Sequence, residues 1–282
     1  MYRLIAVMLL ASVLAASGSA LAQEAVPTED SSALARGLAA LEQDDFEAAL
    51  QSFQAAFEAG EPDAGFYLGR MAELGIGVEA DFEAARVLYA AAADAGSARA
   101  MNRIGLMHFR GEGVLQDYLA AQELICAAAE QGDRDAGFNC AGFLLEGIGV
   151  AEDAEPEEVR DTAFALYRDA AEQGHIGAMN ALAFAHRDGL APDPDMEQAV
   201  AMFRRAADLG NPIALFELGL MLEEGVGIER DLVAAHMHFN LAAARRHPTA
   251  PQALIRVTEQ LSPSEILQAQ QRARSWQPAR SD

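Results

Sequence analysis

The segment Gly75-Ile76-Gly77 is the first place where this sequence could carry chemistry, because paired glycines occur in loops that bind nucleotide phosphates. A dinucleotide fingerprint requires a third glycine at position 80, after a predicted strand, but position 80 is Ala80. The turn also returns along the chain, at Gly111-Glu112-Gly113, Gly147-Ile148-Gly149, the degenerate Gly189-Leu190-Ala191, and Gly225-Val226-Gly227. Since a cofactor loop occurs once and a structural turn recurs, we interpret these glycines as turns and predict no cofactor.

Composition excludes several further kinds of chemistry. The chain has 43 acidic residues and 20 basic ones, all of them arginine, which gives a formal net charge of -23. Without lysine, a Schiff base, a P-loop and the S-x-x-K acyl-transfer motif are all excluded. Nucleic acid is excluded as a partner because phosphate-backbone binding depends on a basic face. Composition therefore favours a protein partner.

The histidines and hydroxyl residues form no recognisable catalytic or metal-binding motif. His236 and His238 lie two residues apart, so on a helix they point to different faces, and the other four histidines are scattered over different repeats. The chain has neither an H-E-x-x-H motif nor a Gly-x-Ser-x-Gly elbow. We predict no catalytic residue and no metal site.

The N-terminal segment is typical of a cleavable secretory signal. Arg3 precedes an apolar run from Leu4 to about Ala16, and Ala20-Leu21-Ala22 is a small-residue cleavage site. The apolar run is short for a bilayer span, which makes an uncleaved anchor the weaker interpretation. We predict a signal peptide at 1–22, a mature chain that starts at Gln23, and a periplasmic or secreted protein that is soluble, with no membrane insertion after cleavage.

From residue 32 onward the chain repeats a two-helix unit. The first helix has a recurring alanine slot followed five residues later by another small residue, at Ala64/Gly69, Ala100/Gly105, Ala136/Ala141, Ala178/Ala183 and Ala214/Gly219. The second helix opens with an aspartate in the N-cap position, at Asp45, Asp81, Asp117, Asp195 and Asp231. Its inner face alternates alanine with a large side chain, such as Ala85 with Tyr89. These features predict helices that approach closely and share a continuous core.

The repeat unit predicts an all-α fold, a right-handed α-solenoid of stacked antiparallel helix pairs. A polar disordered leader is expected at 23–31 and an N-terminal tetratricopeptide-like pair at 32–62. Five repeats fill 63–246, with bounds near 63–97, 98–133, 134–175, 176–211 and 212–246. Capping helices and a tail occupy 247–282, where Ser262, Pro263 and Glu265 predict a capping box.

The pattern A-x-x-x-L-G-x-M, G-x-G-V, D-x-x-x-A, Y-x-x-A-A-x-x-G is clearest from Ala64 to Gly96 and returns from Ala214 to Ala244. It resembles the Sel-one-like repeat (SLR) family, a relative of the tetratricopeptide repeats. The resemblance implies a non-enzymatic periplasmic or secreted scaffold or adaptor for protein–protein interaction, of the kind that regulates envelope signalling or exopolysaccharide systems. The alternative is a hydrolase, since β-lactamase-like activity was suggested for some cysteine-rich SLR proteins.

In related tetratricopeptide arrays a stripe on the first helices lines a concave groove, and we expect an extended peptide or partner helix to bind there. The stripe positions expected to line this groove are Phe66, Arg70, Glu73, Asn102, Leu106, Phe109, Phe138, Asn180, Phe184, Arg187, Phe216 and Glu223. For any one position, packing against the neighbouring first helix explains the residue equally well.

Two features stay open at this stage. An insertion in the third repeat contains six acidic residues, which are Glu152, Asp153, Glu155, Glu157, Glu158 and Asp161. They either dock a basic partner, weakly bind calcium, or form a solvated helix start that the helix dipole favours. Cys126 and Cys140 lie at matching heights on neighbouring helices, but the slot of Cys126 has solvent-facing equivalents and that of Cys140 has inward ones. A disulfide between them requires suitable geometry.

Overall fold

The computed structural model describes residues 32–279, which contain fourteen helices and no strand. The predicted signal peptide and leader lie outside these residues. The predicted all-α class is confirmed. The helices are α1 (Ala33–Glu42), α2 (Phe46–Glu58), α3 (Pro62–Leu74), α4 (Phe82–Asp94), α5 (Ala98–Arg110), α6 (Tyr118–Glu130), α7 (Arg134–Leu145), α8 (Pro156–Glu172), α9 (Ile176–Arg187), α10 (Met196–Asp208), α11 (Pro212–Glu224), α12 (Leu232–Ala244), α13 (Ala250–Thr258) and α14 (Pro263–Ser275).

The chain divides into two compact units, the first ending at Asn139 and the second beginning at Cys140. In the first unit, each helix from α1 to α6 packs against the next one, and α3 also contacts α5. In the second unit, α8 to α12 pack in the same consecutive manner, and α12 contacts both α13 and α14. Each unit is therefore a stack of antiparallel helix pairs in which contacts stay close to neighbours in sequence.

The aspartate caps predicted from the sequence are present. The Asp81 carboxylate accepts a hydrogen bond from the Ala84 backbone N–H at 3.0 Å, and Asp231 does the same for Ala234 at 2.9 Å. Asp45, Asp117 and Asp195 cap α2, α6 and α10 in the same way. At the start of α14, Ser262 and Glu265 form the predicted capping box. Each cap satisfies backbone donors that a helix start otherwise leaves unpaired.

Small residues on the first helices receive large side chains from the second helices. All five alanines of the recurring slot are fully buried. A Cβ added at Gly69 would lie 2.6 Å from Cε1 of Tyr89, and one added at Gly105 would lie 2.5 Å from Cγ1 of Ile125. Both large side chains are fully buried. Glycine at these two positions is required by close approach of the helices and not by backbone conformation.

The recurring glycine pairs end the first helices. Gly75 closes α3 in the left-handed region at φ 69°, and its N–H donates to the Met71 carbonyl oxygen. Gly77 follows with φ 70°. This is the αL helix ending that favours glycine, which supports the structural interpretation of the repeated turn. Arg246, which occupies the glycine slot after α12, adopts the same region with φ 64°.

The acidic insertion precedes α8. All six of its predicted acidic residues are exposed, and α8 begins at Pro156 with Glu157 and Glu158 in its first turn. Within residues 32–279 no group of His, Cys, Asp or Glu is arranged to hold a metal ion. The same residues include no helix with both the length and the apolar character needed to cross a membrane.

The two cysteines lie on α6 and α7. Cys140 is buried, with 2% of its surface exposed, whereas Cys126 is half-buried and its sulfur lies 3.5 Å from Nε2 of Gln122. The described residues include no free cysteine. A disulfide between Cys126 and Cys140 stays a prediction.

Candidate partner-binding faces

In the first unit, the predicted stripe presents half-buried side chains on α3, α5 and α7. They are Phe66, Arg70, Leu106, Phe109 and Phe138. The Phe66 ring is held edge-on to Tyr67, with centroids 5.4 Å apart, while Phe109 leans on Tyr118 at 5.5 Å. These contacts fix the aromatic rings in place and leave part of each one accessible.

Glu73, the last stripe position on α3, takes part in a network of hydrogen bonds and ion pairs inside the first unit. Its carboxylate accepts a hydrogen bond from the Tyr89 hydroxyl at 2.6 Å and is bonded by Arg103 of α5. Arg103 also donates to Glu112 at 3.1 Å. Burial alone would raise the pKa of Glu73, but the bonds from Arg103 and Tyr89 hold it below its usual value. An ionised carboxylate therefore ties α3, α4 and α5 together.

Asn102 also turns inward. Only 7% of it is exposed, and its Oδ1 accepts a hydrogen bond from Nδ2 of Asn139 at 3.0 Å. A buried amide is expected to have such a partner. Asn102 therefore joins α5 to α7 and offers little surface to a ligand.

In the second unit, Asn180 behaves similarly. It is 8% exposed, and its Nδ2 donates to Oδ1 of Asn211 at 3.1 Å. Asn211 is the N-cap of α11 and accepts from the Ala214 N–H at 2.9 Å. Asn180 thus supports the start of the next first helix.

The charged stripe residues of the second unit form ion pairs between first helices. Arg187 of α9 donates to Glu217 of α11 at 2.6 Å, and its guanidinium lies 4.8 Å from the centroid of the Phe184 ring. Burial raises the pKa of Glu217 even though Arg187 opposes that shift. Glu223 of α11 accepts two hydrogen bonds from Arg256 of α13, at 2.9 and 2.6 Å. The Glu223–Arg256 pair is bidentate and has a fixed geometry, so it holds α11 and α13 in register.

Two half-buried phenylalanines complete the stripe in the second unit. Phe184 packs edge-on against Phe203 at 5.1 Å. Phe216 leans on Phe239 at 5.6 Å and stacks on His247 at 4.2 Å. Both rings rest on buried aromatic side chains and expose their other side in part.

The structure therefore separates the predicted stripe into two classes. Half-exposed members that can meet a partner are Phe66, Arg70, Leu106, Phe109, Phe138, Phe184 and Phe216. Members engaged with neighbouring helices are Glu73, Asn102, Asn180, Arg187 and Glu223. Sequence reasoning missed their partners Arg103, Glu217 and Arg256. The available signal was an opposite charge 30 or 33 residues further along the chain.

Comparison with known proteins places the repeat in a family. The Sel1 repeat family model matches residues 62–97, 98–133, 136–175, 176–211 and 212–247. A Sel1 repeat protein from Oxalobacter formigenes superposes with a TM-score of 0.67 at 23% identity, covering 89% of this chain and 100% of that one. A search of curated proteins gives no match.

Two further solved structures share the fold. One is a protective antigen with an SLR fold present in uropathogenic Escherichia coli strains, at TM-score 0.54 and 23% identity, covering 86% of this chain and 60% of that one. The other is an immunity protein from Pseudomonas aeruginosa, at TM-score 0.52 and 17% identity, covering 78% and 84%. At these identities the likeness shows the fold alone. With five matched repeats over more than half of its length, this chain belongs to the Sel1 repeat family.

Proposed function

We propose that this chain is a non-enzymatic scaffold that binds protein partners through the half-exposed faces of its first helices. Sel1 repeats generally mediate protein–protein interaction. The observation that carries the proposal is the recurrence of half-exposed phenylalanine at equivalent stripe positions, Phe66, Phe138 and Phe216. Aromatic side chains held in place by neighbouring rings lose little entropy on binding and are common binding hot spots.

Arginine and acidic groups around these faces set the chemistry of the partner. Arg70 has 43% of its side chain exposed and approaches Glu73 only at 3.7 Å, so it can exchange that contact for an acidic group of a ligand. An extended peptide or a helix with apolar side chains for the phenylalanines suits the face better than a lipid does. The partner class we propose is therefore protein.

Capture from a native envelope extract by crosslinking tests this function. Because Asn102 and Asn180 are buried, the informative changes are Arg70→Ala combined with Leu106→Ser. We expect this variant to fold normally and to lose capture of the partner. Leu115→Ser is the matched control, since Leu115 is 89% exposed and lies outside the stripe.

Retained capture by the folded Arg70→Ala/Leu106→Ser variant would contradict the proposed faces. If capture were lost instead on neutralising Glu152 to Glu158, the binding site would be the acidic insertion before α8.

We propose further that the protein acts in the periplasm or outside the cell, as an adaptor in an envelope system. This part depends on the signal predicted at 1–22. Intact-mass measurement of the native protein should give a chain starting at Gln23 in the soluble envelope fraction. An unprocessed N-terminus in the membrane fraction would contradict it.

A further inference from the structure

The last two helices of the second unit leave a groove between them. α13 and α14 both pack against α12, but they make little contact with each other. The space between them has a volume of about 390 Å³ and is floored by residues of α12. We name it the C-terminal groove. It is separate from the first-helix faces.

The C-terminal groove has an apolar part that is open to solvent. Leu254 and Ile255 of α13 and Ile266 of α14 line it. Ile255 has 63% of its surface exposed. A volume of this size is in the range of ligand sites, which are largely apolar with a few polar groups. The open rim suits a chain that lies across the surface better than an enclosed metabolite.

Five polar side chains also line the groove. Thr258 donates a hydrogen bond to the Leu254 carbonyl oxygen at 2.6 Å, whereas the side chains of the other four are hydrogen-bonded to no other described residue. They are His236, Asn240, Glu259 and Gln270. In the stripe, Asn102, Asn180 and Glu223 each have a hydrogen-bond partner on a neighbouring helix, although Oδ1 of Asn180 is buried without one. Unpaired polar groups that converge on one cavity are available to a ligand.

His236 gives the strongest indication of a ligand. It is only 3% exposed, and its Nδ1 is buried without a hydrogen-bond partner. Most buried polar groups in folded proteins have a hydrogen-bond partner, so an unpaired one that lines a groove is available to a ligand. Burial also lowers the pKa of His236, which keeps the imidazole neutral and able to donate one hydrogen bond and accept another.

Charge selects the class of ligand. The lining includes no arginine, and its one charged residue is Glu259, an exposed carboxylate without an ion pair among the described residues. The whole chain carries a formal net charge of -23. An anionic ligand would thus meet no compensating cation in the groove, whereas a basic group beside an apolar one would meet both Glu259 and Ile255.

We propose that the C-terminal groove is a second binding site, which takes a peptide segment carrying a large apolar side chain next to lysine or arginine. The apolar side chain packs on Leu254, Ile255 and Ile266. The basic group pairs with Glu259. The peptide backbone bonds to the side chains of His236, Asn240 and Gln270. The proposal does not depend on the first-helix faces.

Selection from a random heptapeptide library displayed on phage tests this site without a known partner. The mature full chain serves as bait, and the Ile255→Ser/Glu259→Gln variant serves for counter-selection. Enriched peptides should share a large apolar residue beside lysine or arginine. An enriched peptide, once synthesised, should bind about tenfold more weakly to each single variant, as expected for loss of a central contact. The ring proton signals of His236 should shift when that peptide binds.

Ile255 and Glu259 are both exposed, so these variants are expected to fold, which melting curves verify. Leu115→Ser again controls for loss of an exposed leucine and should bind the peptide normally. The proposal is overturned if no peptide is enriched over the double variant, if the enriched peptides are acidic, or if Ile255→Ser and Glu259→Gln bind unchanged. Loss of self-association in the groove variants, with peptide binding unaffected, would assign the groove to a second copy of the chain instead.

Discussion

Replacing Gly219 by alanine adds one methyl group where α11 meets α12. An ideal Cβ at this position would lie 2.6 Å from Cε1 and 2.8 Å from Cδ1 of Phe239. Favourable carbon contacts are about 3.5–4.0 Å, so the ring must move by about 1 Å. Phe239 is fully buried. The methyl group therefore overpacks the contact between the two helices.

The magnitude follows from two opposing effects. Overpacking of a tight core typically costs about 1–3 kcal/mol, whereas removing glycine from a helix interior returns about 1 kcal/mol. We expect Gly219→Ala to lower the free energy of unfolding by about 1 kcal/mol. Gly142 of α7 is the matched control in the same unit, because a Cβ there meets only the Tyr167 hydroxyl, at 3.8 Å. Gly142→Ala should raise stability by up to about 1 kcal/mol.

Urea unfolding followed by far-ultraviolet circular dichroism measures both variants. The expected difference between them is about 2 kcal/mol, in favour of Gly142→Ala. Adding Phe239→Leu to Gly219→Ala should recover part of the loss, since it removes the ring that the methyl group meets. Equal stabilities, or a Gly219→Ala protein more stable than Gly142→Ala, would refute the close-approach argument.

Three further predictions concern charge, pH and redox state. Arg187→Glu and Glu217→Arg should each lower the melting temperature. The double variant that exchanges the two charges should recover part of that loss. A purely additive loss would show that the pair does not couple α9 to α11. Burial lowers the pKa of His238 to about 4, below the 6.5 of the unfolded chain, so the stability that the neutral imidazole contributes is complete above pH 6.5 and is lost as pH falls toward 4. His238→Gln should therefore reduce the change of melting temperature with pH over that window. An unchanged slope would exclude this residue as the cause. Cys126 and Cys140 should resist alkylation until a reductant is added, and immediate labelling of both would exclude a disulfide between them.

Local sequence was enough to predict the helix ends. An aspartate such as Asp81 bonds a backbone N–H only three residues away, so the cap needs no distant partner. Gly75 likewise ends α3 because the left-handed conformation is a property of that residue. The alanine slots could also be predicted, since a recurring small residue at helical spacing has few explanations besides close packing.

Only the tertiary structure shows which stripe residues stay partly exposed and which bond to neighbouring helices. Phe66 and Glu73 lie on the same face of α3, and nothing within that helix distinguishes an exposed ring from an engaged carboxylate. The difference arises because Arg103, on the next first helix, reaches Glu73. Whether two side chains 30 residues apart meet depends on helix stacking and rotamers, which periodicity does not specify.

The C-terminal groove shows the same division. The sequence predicted capping helices after the last repeat, and the capping box at Ser262 set the start of α14. That α13 and α14 both pack on α12 while making little contact with each other is a matter of packing. Local sequence determined where the helices of this protein begin and end, because caps and turns act over a few residues. Only tertiary packing decided which polar groups, among them His236, were left without a partner.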